Sequence, residues 1–432
     1  MKANPKLIRL WLCSTLVLLA SVGAAGQTPM TWGQVREHFE KNNPTLLAGQ
    51  LNIDESKAQE ITAYLRPNPQ FTFSLDGVQS TPTGEGNPWR PLVGSVEAWN
   101  FGYLHERRHK RELRLESARK GTTIAVSSQA DLMRNLLFGL RGAFIATLQA
   151  KAVVQVAKDN LAYYDHVLEV SRLRFKVGDI AKIDLDRLEL QRVQYESDLE
   201  TAQVNLQTAK ITLLQLLNDR TPLDKFDVSG AFDFSEQLMP LDQVRQIALD
   251  TRPDLQAALQ AVDKARTDYK LAMANGSTDP TFSGWWAHNS SFNFSPGDNF
   301  GRNTVGASIS VPLRIFDRNQ GEKLRTKLDI SRNEKLRDAA EAQVFSDVDT
   351  AYATLSSNVV LLRPYKAKYL QMSVNVRDTV FYSYQKGKAS LLDFLSAEND
   401  YRSVQRNYVT LVGSYLTAAA QLNQAVGREV IP

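Results

Sequence analysis

The sequence predicts a mostly α fold with a small β part: long helical hairpins and pairs of strands, laid out twice along one chain. The first observation behind this is a repeat at a fixed offset of 209 residues. Gln34, Val35 and Arg36 return as Gln243, Val244 and Arg245, and Pro44, Leu46 and Ala48 return as Pro253, Leu255 and Ala257. Gly178, Asp184 and Glu189 return as Gly387, Asp393 and Glu398. A long fixed period marks duplication of a whole structural unit rather than a short solenoid. The second observation is where proline is absent: from 92 to 221, from 313 to 363 and from 365 to 431. Helix interiors exclude proline, which lacks the N–H and clashes with the preceding turn. The third is a heptad seam of Leu185, Leu188, Tyr195, Leu199, Ala202, Leu206, Ala209, Leu213 and Leu216, which misses only at Arg192. At the repeat offset it becomes Phe394, Ala397, Tyr401, Val404, Tyr408, Leu411, Tyr415, Ala418, Leu422 and Ala425. Such a register, held over more than four heptads, is that of a coiled coil.

In chain order, Lys2, Lys6 and Arg9 flank an apolar core from Leu10 to Ala20, followed by small residues through Gly26. This is the pattern of a secretory signal peptide over 1–26, cleaved before Gln27, rather than of an anchor helix. Two repeats follow, 27–229 and 230–432, each expected to run short helix, two strands, very long helix, tip, returning helix. The long helices are placed at about 103–176 and about 320–385, each about 105 Å at 1.5 Å per residue, with a kink or an interruption of the second at Pro364. Each turns at a glycine, in Phe175-Lys176-Val177-Gly178-Asp179 and in Tyr384-Gln385-Lys386-Gly387-Lys388. A left-handed glycine after the last helical turn reverses the chain.

The proline-rich zones read as strands. Phe71, Phe73 and Leu75 alternate with Thr72, Ser74 and Asp76, and Val305, Ala307, Ile309 and Val311 alternate with polar or small residues. Their partners are placed at 92–99 and 282–286, with polar loops at 77–91 and 290–303. This dyad pattern with aromatics fits transmembrane strands, and it also fits a soluble β-domain. Four strands cannot close a barrel, and an open edge cannot face lipid. A membrane reading therefore requires several chains; three would supply twelve strands.

Composition narrows the class. Hydrophobic residues make up 43% of the chain and mean hydropathy is −0.31, which excludes a polytopic helical membrane protein. Three of the 51 Lys and Arg lie in 1–26, against 47 Asp and Glu overall. The mature chain is thus close to neutral, with no basis for a nucleic-acid partner. The one cysteine, Cys13, is inside the signal, so no disulfide is expected and no cysteine stands at the cleavage site to carry a lipid.

The duplicated unit resembles the TolC-like outer-membrane efflux proteins over essentially the whole mature chain. The resemblance is carried by the segment Tyr384 to Glu398, with its aromatic, glycine, Asp393 and Ala397-Glu398, and by Arg174 to Ile180 with Asp184 and Glu189. The segment Val311-Pro312-Leu313-Arg314-Ile315-Phe316-Asp317-Arg318-Asn319-Gln320-Gly321 is similar to the heavy-metal (cobalt-zinc-cadmium) branch, although a strand-to-helix junction alone could explain it.

The resemblance implies a homotrimer with a twelve-stranded barrel in outer-membrane lipid and a coiled-coil tunnel through the periplasm. It implies a periplasmic adaptor docked at the tips, at Val177, Gly178, Lys386 and Gly387, and an inner-membrane pump of the RND type. It implies a gate at which Tyr384 and Asp184 form a hydrogen bond and Asp393 faces the lumen as an acidic ring, favouring cations. Ser396 stands where a second Asp would deepen the ring, and Ala389 where an arginine would complete the latch. The other reading of Asp184 and Asp393 is that they cap returning helices.

His105-Glu106-Arg107-Arg108-His109 matches the zinc-protease spacing HExxH. Four neighbouring basic residues disfavour a dication there, and a basic helix start near lipid headgroups is the expectation. The tyrosines of the second seam are read as coiled-coil core rather than as a base-stacking surface. No phosphate loop, nucleophile elbow, cofactor site or metal site emerges, and the chain is not expected to be an enzyme. The function implied is the exit duct of a tripartite efflux system, passively conducting small molecules or metal ions. The reading from a different class is a soluble periplasmic coiled-coil scaffold.

Overall fold

A computed structural model describes residues 29–82, 85, 86, 88–290 and 302–431. The signal segment lies outside the described residues, as does most of the loop expected at 290–303. The elements run α1 (Trp32–Asn42), α2 (Pro44–Tyr64), β1 (Gln70–Asp76), β2 (Val96–Leu104), α3 (Lys110–Lys176) and α4 (Lys182–Leu217). The series then recurs as α5 (Leu241–Thr251), α6 (Pro253–Asn275), β3 (Thr281–Asn289), β4 (Asn303–Ser310), α7 (Gln320–Pro364), a π-helical turn Tyr365–Tyr369, α8 (Leu370–Gln385) and α9 (Leu391–Val426).

Three expectations are corrected. Each unit opens with two helices, because Asn43 and Arg252 leave helical geometry and Pro44 and Pro253 restart the helix at its first position, where the missing N–H costs nothing. The second strand is Val96–Leu104, not 92–99: Gly94 takes a left-handed φ of 92°, and Ser95 closes a turn onto Leu92 O. The first long helix accordingly starts at Lys110 rather than near 103, after Arg108 and His109 in left-handed geometry. Pro364 does interrupt the second long helix. A π turn follows directly and widens the ladder, with Leu370 N–H donating to Tyr365 O, before α8 resumes regular geometry.

The four strands form one antiparallel sheet in the order β1-β2-β3-β4. Register sorts the side chains cleanly. Phe71 faces Phe101, Phe73 faces Trp99, Trp99 faces Trp286 and Trp286 faces Val305, all on one face. Ring centroids along this face are 4.4 to 5.4 Å apart; Trp99 at its centre is half-buried and the residues around it are exposed, Phe101 at 62% and Val305 at 79%. The other face carries Thr72, Ser74, Asn100, Ser283 and Ser308 with one indole, Trp285, lying against Gly306. β1 and β4 are open edges among the described residues.

Below the sheet, two apolar clusters form a waist of matching parts. One gathers Val35, Phe39, Leu46, Leu213 and Leu217; the other gathers Val244, Ala248, Leu255, Leu422 and Val426 at the repeat offset. A third cluster, near the tips, joins Tyr164, Val167, Leu168, Leu188 and Tyr195 to Tyr384, Leu391 and Phe394. The predicted seam residues are all buried or half-buried.

Candidate gate at the hairpin tips

Both tips end by the same device. Gly178 has φ 79° and Gly387 φ 68°. Gly178 N–H donates to Phe175 O at 3.0 Å and Asp179 N–H to Arg174 O at 2.9 Å; Gly387 N–H donates to Tyr384 O at 3.1 Å and Lys388 N–H to Ser383 O at 2.8 Å. This pairing satisfies the last free carbonyls while the glycine reverses the chain. It leaves Val177, 79% exposed, at the end of one hairpin and the exposed Lys386 at the end of the other. Lys386 Nζ lies 5.5 Å above the Tyr382 ring.

Tyr384 points inward. Its ring stacks on Phe394 at 5.7 Å and 11°, and the Arg174 guanidinium lies 5.1 Å above it. Arg174 is held there by Asp179 at 2.6 Å. The Tyr384 hydroxyl is buried without a hydrogen-bond partner, so the implied bond to Asp184 is not formed within the chain. Burial raises the phenol, Arg174 opposes this, and the nearby Asp184 charge adds to it. Asp184 is half-buried in the first turn of α4.

Asp393 is exposed and makes a reciprocal capping box. Its Oδ2 accepts from Ser390 N–H at 2.9 Å and from Ser390 Oγ at 2.7 Å, while Asp393 N–H donates to Ser390 Oγ at 3.1 Å. The Ser390 hydroxyl, and then its N–H, hold the Asp393 carboxyl below its usual range. Asp393 thus fills the capping role, and its carboxylate is exposed. In the first copy Ala181 stands at the cap and gives Asp184 no such partner.

One constellation was not found by sequence reasoning. Above the tips, Glu398 is buried on α9 against Tyr195 of α4, whose hydroxyl lies 3.3 Å from Oε2. Arg377 of α8 approaches Oε1 at 3.9 Å and stacks between Tyr163 of α3 and Tyr401 of α9, at 4.1 Å from each ring. Arg402 lies 4.2 Å above the Tyr195 ring and pairs with Asp198. The available signal was a charge at a seam-flanking position, but Glu189 carries the same residue type on the surface of the first copy.

The HExxH segment is not helical. It lies between β2 and α3, Glu106 is bound in a fork by Arg114 at 2.5 and 2.9 Å, and His109 is exposed. Among the described residues, no group of three His, Cys, Asp or Glu is placed to hold a metal ion.

Residues 244–428 match the family described as outer membrane efflux protein. The chain is 22% identical over 411 residues to the cobalt-zinc-cadmium resistance protein CzcC of Cupriavidus metallidurans, covering 94% of this chain and 91% of that one. It is 22% identical over 298 residues to the outer membrane efflux protein BepC of Brucella suis, covering 68% of this chain and 64% of that one. Among solved structures it is similar to CusC, with a TM-score of 0.77 at 18% identity over 92% of both chains.

Proposed function

We infer that this chain, which belongs to the outer membrane efflux protein family, works as a trimeric exit duct whose periplasmic tips form the gate. The observation that carries this is the sheet. An exposed aromatic face opposite a small, polar face, with both edges open, suits a barrel wall shared between chains and does not suit a soluble domain. Pairing β1 of one chain with β4 of the next would close twelve strands, aromatic face to lipid and polar face to the lumen. The soluble scaffold reading is set aside on the same ground: such a face in water would be an aggregation site.

The helices below, α3 being about 100 Å long, continue the duct into the periplasm. The two halves of the chain, 27–229 and 230–432, act as repeats that together with two more copies surround one axis. Val177, Gly178, Lys386 and Gly387 form the surface offered to a periplasmic adaptor, which links the duct to an inner-membrane pump of the RND type. Asp393 supplies three ionised carboxylates around the axis, a ring that favours cations. The similarity to CzcC and the segment 311–321 point to divalent metal ions as the cargo class to test first. In that segment Asp317 Oδ1 accepts from Asn319 N–H, and Asn319 starts α7 from left-handed geometry, so part of its pattern is structural.

Tyr384 holds the tips through its ring rather than its hydroxyl. In planar bilayers the detergent-purified trimer should insert and conduct as a single pore. Tyr384→Ala should raise its conductance, while Tyr384→Phe should leave it unchanged. A rise with Tyr384→Phe would return the latch to the hydroxyl, and an oligomer that never inserts would remove the duct. For cargo, expression in a cobalt-, zinc- and cadmium-sensitive host carrying a matching pump and adaptor should restore growth on those metals. Growth unchanged by any of them would turn the search to organic substrates.

A further inference from the structure

The seam between the two hairpins of one chain buries Glu398, 3% exposed, without the close ion pairing that the buried Arg252 and Lys110 receive elsewhere. Glu398 Oε1 is buried with no hydrogen-bond partner, and so is the Tyr163 hydroxyl across the seam. The carboxyl keeps one bond, from Tyr195, and a distant cation, Arg377. A buried carboxylate so thinly partnered is costly when ionised and comfortable when neutral.

We propose that Glu398 is a proton-binding site of the gate, and that taking up a proton there holds the two hairpins of each chain together. This rests on the duct reading, since the hairpins must part for the tips to open. The groups that face the site are known on every side. From α3 come Tyr163 and Tyr164, and from α4 Tyr195 and Asp198. From α8 come Arg377 and Asp378, and from α9 itself Tyr401 and Arg402. Burial pushes Glu398 up to about 7, against Arg377, the Tyr195 hydrogen bond and Arg402, which pull it down. Burial, with Glu398 adding to it, likewise pushes Tyr163 up to about 12, so the tyrosine stays neutral and does not compete for the role.

The sign follows from linkage. With the seam closed the carboxyl takes its proton near neutrality; with the seam parted and wet it reverts towards the ordinary 4.5. The closed seam therefore binds more protons between these values, and acid favours it, by at most about tenfold in the closed-to-open ratio per pH unit per chain. The advantage is complete below the wet value and is lost as pH rises through the closed value.

The repeat offset shows that this is particular to one seam. The positions of Glu398, Arg402, Arg377 and Tyr163 correspond to Glu189, Val193, Leu168 and Met372. Glu189 is at the surface, paired with Arg172 at 3.0 Å. The equivalent positions thus carry no buried carboxyl.

The experiment reads conductance of the bilayer-inserted trimer from pH 8 to 5 at fixed salt, beside infrared titration of the protonated carboxyl band. Wild type should lose open conductance several-fold as the Glu398 band appears. Glu398→Gln, which mimics the neutral form, should conduct little at every pH and lack the band. Should that variant misfold, Tyr195→Phe removes the one hydrogen bond to the carboxylate and should move both midpoints upward together. A Glu398 that stays ionised to pH 5, or a band that titrates while conductance does not follow, overturns the proposal. A trimer that conducts at no pH fails the duct reading instead, and the infrared titration still reports whether Glu398 takes up the proton.

Discussion

The two halves of the chain answer the same structural demands with different residues, and the second half does so with charge. At the break between the first two helices, Asn43 Nδ2 donates to Leu216 O at 3.2 Å in the first copy. At the repeat offset, Arg252 Nη1 donates to Ala425 O at 3.2 Å. Asparagine also caps its helix, accepting from Thr45 and Leu46 N–H. Arginine cannot accept, so Asp254 takes the Leu255 N–H and, with Asp347, neutralises the buried guanidinium at 2.5 and 2.8 Å. The same trend continues along the hairpin. α3 runs unbroken past Gln155, where its counterpart turns through a π segment at Pro364, and the seam position left apolar at Leu168 holds Arg377. Duplication fixed the geometry, and the second copy then took on the groups that carry charge and irregularity.

Removing one group from each helix break should show the largest contrast. Arg252→Ala leaves Asp254 and Asp347 without their cation and a carbonyl without its donor. The carboxylates are partly wet, which limits the loss to about 3 kcal/mol, with no compensation in the buried space. Asn43→Ala loses a cap and one hydrogen bond, about 1 kcal/mol. Denaturant midpoints of the detergent-solubilised trimer would rank the two. Equal losses would mean that the ion network adds nothing to the simpler cap.

The C-terminal ends of α4 and α9 allow a subtler comparison. Both stop on a left-handed residue, Asn218 at φ 51° and Gly427 at φ 89°. Asn218 sits in the region that asparagine tolerates. A Cβ at Gly427 would lie 3.2 Å from Thr251 O and 3.3 Å from Arg252 Cα, both backbone atoms. Gly427→Ala should therefore cost about 2 kcal/mol, while Asn218→Gly should stay within about 0.5 kcal/mol. If the two variants melt alike, the second copy is free to shift its helix break and the comparison loses its rigid reference.

How much of this was legible beforehand follows the strength of the local signal. The repeat, the seams, the glycine tips and the alternation of β1 and β4 were visible, because each rests on periodicity or on a conformation that few residues adopt, whereas the bounds of β2 and the register that sorts the two sheet faces were not. The start of α3 was misplaced because His105 to His109 carries no proline or glycine to mark the break; β2 ends at Leu104, and Arg108 and His109 in left-handed geometry set the helix start at Lys110. The split of each opening helix was missed although Pro44 and Pro253 marked it. The Glu398 site was out of reach for a different reason. Its chemistry depends on burial between segments more than 200 residues apart, and Glu189 shows that the same motif can sit harmlessly in water.

The smallest effect is also the most direct exchange between copies. Ser390 and Asp393 form a capping box, whereas at the offset Ala181 offers no oxygen to the first turn of α4, and Asp184 already occupies the third helical position. Ala181 has the same extended geometry as Ser390, with φ −73° and ψ 152° against φ −78° and ψ 161°. Ala181→Ser should thus accept from Asp184 N–H without rearrangement and return a donor to its carboxylate. The gain should be about 0.5 kcal/mol, that of a peptide-like N-cap. It should appear as slower amide exchange confined to the first turn of α4, with α9 unchanged as the internal control. If exchange there does not slow, tip strain rather than a missing cap sets the stability of the first hairpin, and the resemblance between the two tips ends at their glycines.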